Sequence, residues 1–73
     1  MEKELIAEIA DILEVDPEEL SLETDFREDR FDFDSLKGYA MIVMIEDLFD
    51  TTISVDDFIA SKTIGSLLEK ARA

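Results

Sequence analysis

Apolar residues in this chain recur at helical spacing, and the Val/Ile-rich alternation of β-strands is missing. Leu5, Ile6, Ile9, Ile12 and Leu13 fall on one face of a turn repeating every 3.6 residues. Glu4, Glu8 and Asp11 lie off that face. The pattern predicts a first helix from about Glu2 to Glu14, ended by Asp16-Pro17 because a residue before proline avoids the helical region. A second helix is expected from Ser35 to Phe49, with Asp34 as its N-cap. Ser54 can cap a short third helix, since Ser54-Val55-Asp56-Asp57 has the form of a capping box. Thr63 can cap a last helix reaching about Arg72, with Ile64, Leu67 and Leu68 as its apolar side. Lys70 and Arg72 suit the negative end of that helix's dipole. The expected fold is all-α, three longer helices and one short one, in a single domain over residues 1–73.

A long connection, Val15 to Phe33, separates the first two helices. Loops of this length in small domains tend to carry function. Leu20, Leu22, Phe26, Phe31 and Phe33 are expected to pin it across the helices, with a helical turn at Pro17-Glu18-Glu19-Leu20.

The second helix constrains function most. Met41-Ile42-Val43-Met44-Ile45 is apolar throughout, and five successive positions go right round a helix. Met41, Ile45 and Phe49 form one stripe, assigned to the core. Leu36, Ala40 and Val43 form a second, continued by Asp47 and flanked by Glu46. An apolar stripe rimmed with acid suits docking of a basic partner. The competing reading is a helix buried on most sides by the folded-over loop.

Composition narrows the chemistry. The chain has no His and no Cys, so it lacks the commonest general base, thiolate ligands and disulfides. Its net charge of −13 would repel nucleic acid and anionic lipid and attract basic surfaces. No apolar run approaches a membrane span, so a cytoplasmic protein without membrane insertion is expected. Asp32 and Asp34 before a helix invite a calcium-loop reading, but the EF-hand pattern fails, with Lys37 where glycine and Val43 where glutamate should stand. Ser35 has no histidine to activate it. Read from the residues alone, it is ordinary helix-start chemistry. A site for modification by another enzyme would need only exposure and a recognisable surround. No catalytic residue and no metal site are expected.

Asp34-Ser35-Leu36 at the head of an amphipathic helix resembles the Asp-Ser-Leu motif of acyl and peptidyl carrier proteins. The flanks extend the likeness. Ile45-Glu46-Asp47-Leu48-Phe49 followed by Ile53 resembles the family's Leu-Glu-Glu-x-Phe segment and its following Ile. Val15-Asp16-Pro17-Glu18-Glu19-Leu20, Thr24-Asp25-Phe26 and Thr63-Ile64 resemble family segments in the same order. The resemblance implies a four-helix acyl-carrier bundle. It implies that Ser35 carries 4'-phosphopantetheine, taken from coenzyme A by a Mg²⁺-dependent phosphopantetheinyl transferase. It further implies partner contacts through Asp34, Leu36, Val43, Glu46, Asp47 and Ile53, with Ile53 beside the acyl-chain cavity. Such a protein is a non-catalytic monomer that delivers thioester-bound acyl groups to enzymes of fatty-acid, polyketide or related biosynthesis. The alternative is an unmodified acidic adaptor that docks through the same helix.

The chain departs from the fatty-acid carriers at identifiable places. Asp32 stands where the family commonly has glycine, three residues before the serine. The stretch from Phe26 to Ser35 is about one residue longer. Ala40 replaces an acid of the recognition helix, and Gly38 should weaken that helix by about 1 kcal/mol relative to alanine. These changes suggest a specialised carrier.

Overall fold

The computed structural model describes residues 1–72, and Ala73 lies outside the described residues. The described chain forms four α-helices: α1 (Glu2–Leu13), α2 (Ser35–Phe49), α3 (Val55–Ala60) and α4 (Ile64–Arg72). Two 3₁₀ turns, Pro17–Glu19 and Asp29–Phe31, lie in the long connection. Among the described residues the extended pairing is one isolated bridge, Asp25 to Thr63. The fold is therefore all-α, as the periodicity predicts.

α1, α2 and α4 pack pairwise around a core built from the expected stripes. Leu5, Ile9 and Leu13 of α1, Met41 and Ile45 of α2, and Ile64, Leu67 and Leu68 of α4 are buried. Phe49, assigned to the same α2 stripe, packs only half-buried at the edge. Phe58 brings α3 into the core.

Helix ends follow from local chemistry. The Asp34 carboxylate accepts from Lys37 N–H at 2.9 Å and caps α2. Ser54 Oγ accepts from Asp57 N–H at 3.0 Å, and Thr63 Oγ1 from Ser66 N–H at 3.1 Å. The end of α1 falls one residue earlier than expected. Glu14 adopts a left-handed conformation, φ 60°, and Val15 N–H turns back to the Ala10 carbonyl at 3.0 Å. That closure acts before Asp16-Pro17 can. Asp16 instead caps the Pro17–Glu19 turn, in a capping box with Glu19.

The long connection is fastened at several points. Leu20, Phe26 and Phe31 are buried, and Leu22 and Phe33 pack against the core. Its backbone also closes the start of α4: Ile64 N–H donates to Thr24 O at 3.1 Å and Gly65 N–H to Leu22 O at 2.7 Å. The first turn of α4 thereby finds acceptors for amides that no intrahelical carbonyl can reach. The loop crosses the helix ends and leaves one face of α2 uncovered.

Candidate functional site

The site centres on the head of α2. Ser35 is the first residue of α2 and is exposed. Among the described residues no protein group hydrogen-bonds its hydroxyl, because Asp34 performs the capping. The approach to Ser35 is fixed by Asp32, which takes a left-handed conformation at φ 50°. Lys37 Nζ holds that bend by donating to the Asp32 carbonyl at 2.8 Å. Aspartate thus stands in a backbone geometry that suits glycine.

Down the exposed side of α2 run Leu36, Ala40, Val43 and Asp47, all open to solvent. Leu36 is 81 % and Val43 47 % exposed, so the second stripe is not buried by the loop. Tyr39, Val55 and Ile59 are also exposed large apolar residues, and the sequence reading did not single them out. Asp34 stands at the head of this face.

Glu46 and Ile53 occupy a different setting. Glu46 is half-buried, and its Oε2 accepts from Ile53 N–H at 3.1 Å. Ile53 itself is only 4 % exposed and belongs to the core. Little of the Ile53 side chain is therefore open at the surface, unlike Leu36 and Val43. The chain turns sharply after α2 through left-handed Asp50, and Thr51 N–H donates back to Glu46 O at 3.2 Å. The turn tucks Ile53 inward.

A pocket of about 300 Å³ opens beside Ser35, between α2 and α3. Its walls include Phe33, Tyr39, Ile42, Phe58 and Ile59, with Gly38 and Arg27 also lining it. Ile53 does not line it; Val55 and Ile59 of α3 do. Gly38 accounts for part of its shape. A Cβ at that position would meet Phe33 Cζ at 3.1 Å and Phe58 Cε2 at 3.4 Å. The glycine that weakens α2 thus admits two aromatic rings to the helix surface.

Arg27 stiffens this region. Its Nη2 donates to the Phe58 carbonyl at 2.8 Å and its Nη1 donates to the Ser61 carbonyl. Its guanidinium lies 4.5 Å from the ring centre of Phe26, 5.1 Å from Phe58 and 5.5 Å from Phe33. Burial holds the guanidinium below the usual arginine range, and the charge of Asp25 opposes that shift. A larger hollow of about 570 Å³ touches Phe49. Phe49 is at the far end of α2 from Ser35, so that hollow is no part of this site.

A serine hydroxyl free at a helix head, an apolar pocket next to it and an exposed apolar helix face together suit a group attached from outside. The family model described as "Phosphopantetheine attachment site" matches residues 3–70. The chain belongs to that family, the phosphopantetheine-binding carrier domains. Its prosthetic group is covalent 4'-phosphopantetheine, and its role is that of a carrier. Among the described residues no helix is long and apolar enough to cross a membrane.

Proposed function

We propose that Ser35 is the attachment residue, and that the chain carries acyl groups between enzymes without catalysing a reaction itself. The observation that carries this reading is the position of the exposed, uncommitted Ser35 hydroxyl beside the apolar pocket. The residues present fit the group. The first-turn amides and dipole of the 15-residue α2 favour a phosphate at its head. Asp34 opposes it by like charge, but that carboxylate is engaged with Lys37 N–H. On modification by a transferase, Ser35 Oγ gives up its proton and bonds to the pantetheine-side phosphorus of coenzyme A, and the adenosine bisphosphate leaves. When bound, the arm supplies a thiol that holds the acyl group as a thioester. The pocket offers an attached chain partial shelter from water.

Partners would be the phosphopantetheinyl transferase and acyl-transferring or acyl-modifying enzymes with basic patches. Asp34, Leu36, Val43 and Asp47 form the docking face in this reading, joined by Tyr39. Glu46 acts by holding the turn to Ile53 as well as by its charge. The absence of an acid at Ala40 and the Asp32 approach support a dedicated polyketide, peptide or modified-lipid pathway over general fatty-acid synthesis. We place the protein in the cytoplasm as a single-domain monomer, since its charge favours solubility over self-association.

The test is intact mass after incubation with coenzyme A, Mg²⁺ and a broad-specificity phosphopantetheinyl transferase. One phosphopantetheine should be added to the wild type and none to Ser35→Ala. Addition to Ser35→Ala would place the arm elsewhere. Full biological function of Ser35→Ala in the native host would favour the unmodified adaptor instead.

A further inference from the structure

The pocket beside Ser35 is lined mainly by apolar side chains, with the hydroxyl-bearing Ser35 and Tyr39, and its one charged residue is Arg27. A plain alkyl chain would have no use for a cation there. Burial makes the charged state of Arg27 costly, as the direction of its pKa shows. The two carbonyl bonds to Phe58 and Ser61 explain part of its presence, since they tie the end of α3 to the loop. They use two of the five N–H donors of a guanidinium. Among the described residues no other acceptor meets the remaining side-chain donors, and no carboxylate lies within ion-pair distance of Arg27. Asp25 acts on it only at longer range, its Oδ1 accepting from the Arg27 backbone N–H at 2.9 Å. In a chain with 20 acidic residues and 7 basic ones, a half-buried arginine without an acidic partner stands out.

The geometry points to a cargo class: acyl groups that end in a carboxylate, bound with the acid on the Arg27 guanidinium and the methylenes along Phe33, Ile42, Phe58 and Ile59. This inference rests on the carrier reading. A carboxylate suits the site because a guanidinium presents parallel N–H donors to its two oxygens. The pair would form in a half-dry pocket, where a charge-assisted hydrogen bond is worth more than at an open surface. The aromatic rings around the guanidinium hold it in place, so little side-chain freedom is lost on binding. Arg27 is then a specificity-determining residue, choosing among cargoes after attachment.

The experiment loads the protein from three coenzyme A species: the free thiol, the glutaryl thioester and the shape-matched 5-methylhexanoyl thioester. Intact mass first verifies each addition at Ser35. If no species is added, the carrier reading falls, and this inference with it. With all three loaded, the ¹H–¹⁵N signal of the Arg27 side-chain Nε is followed, together with the melting temperature. The expected result is a distinct shift of that signal in the glutaryl form only. The glutaryl form should also melt about 5 °C above the 5-methylhexanoyl form. In Arg27→Met, checked for helicity, that melting difference should vanish. Loading with unchanged Arg27 signals, or the same shift in both acyl forms, overturns the inference and leaves the carrier reading intact. A full shift with the unacylated arm overturns it too, by assigning the guanidinium to the arm's phosphate. Should Arg27→Met fail to fold, the wild-type signals alone decide.

Discussion

Three acidic residues take left-handed backbone conformations: Glu14, Asp32 and Asp50, with φ of 60°, 50° and 52°. Each closes or redirects a helical segment, and an L-residue in that region is disfavoured by about 1–2 kcal/mol, less for aspartate. At Asp32 this decides a test. The side chain is fully exposed, and its ion pair with Lys37 is long, at 3.9 Å. Such a pair contributes little. The bond that matters, from Lys37 Nζ, goes to the Asp32 backbone carbonyl and survives substitution. Asp32→Gly should therefore relieve strain and remove one repelling charge, against a loss of unfolded-chain restriction of about 0.4–1 kcal/mol. We expect a net gain of about 0.5 kcal/mol, read as a higher urea midpoint with unchanged slope. A lower midpoint would mean that the Asp32 carboxylate supports the approach to Ser35 in a way its exposure conceals.

Two helical glycines make opposite predictions at the scale of elements. Replacing either by alanine improves helix propensity by about 1 kcal/mol. At Gly38 the new Cβ meets the far end of the Phe33 ring at 3.1 Å, and that half-buried ring can yield by a few tenths of an ångström. Gly38→Ala should raise stability by less than the full propensity gain. At Gly65 the Cβ would lie 2.9 Å from the Leu22 backbone oxygen, which is already bonded to Gly65 N–H at 2.7 Å. Relieving that clash moves the loop off α4, at a cost of about 1–3 kcal/mol. Gly65→Ala should therefore lower the thermal midpoint while Gly38→Ala raises it, and equal responses would contradict this account. The sequence made the helices and their caps legible because both depend on neighbours: Asp34, Ser54 and Thr63 each accept from the amide three residues on. Period also divided α2 into the Leu36–Ala40–Val43 and Met41–Ile45 stripes, but that the loop leaves the first one exposed came only with the tertiary packing. The pocket was not legible. Arg27 and Phe33 of the long connection, Ile42 of α2 and Ile59 of α3 come from three separate segments, and only the tertiary packing of the loop over α3 joins them. The burial of Ile53 was not legible for a related reason: it follows from the left-handed turn at Asp50 and from the bond that Ile53 N–H donates to Glu46.

At the scale of the whole molecule, charge is the largest unopposed term. Net charge is −13, and the side-chain ion pairs among the described residues, Arg30–Glu28, Lys37–Asp32 and Lys70–Asp57, span 3.8 to 4.0 Å, each with its carboxylate open to solvent. They relieve little of the repulsion. The described residues extend 28 × 23 × 18 Å. At about 0.01 M salt the screening length is about 30 Å, so each acid repels every other across the fold. At about 0.15 M it falls to about 8 Å, and only near neighbours still interact. Unfolding separates the charges, so the repulsion weighs on the native state and is relieved by salt. Raising monovalent salt between those concentrations should therefore raise the melting temperature by at least about 4 °C, the amount that 1 kcal/mol produces in a domain of this size. Sodium and potassium chloride should act alike, and most of the rise should come below about 0.15 M, following the screening length. A melting temperature that stays constant over this range would show that the acids already spread their charge without cost to the fold. A rise with one cation only would replace general screening by a specific binding site.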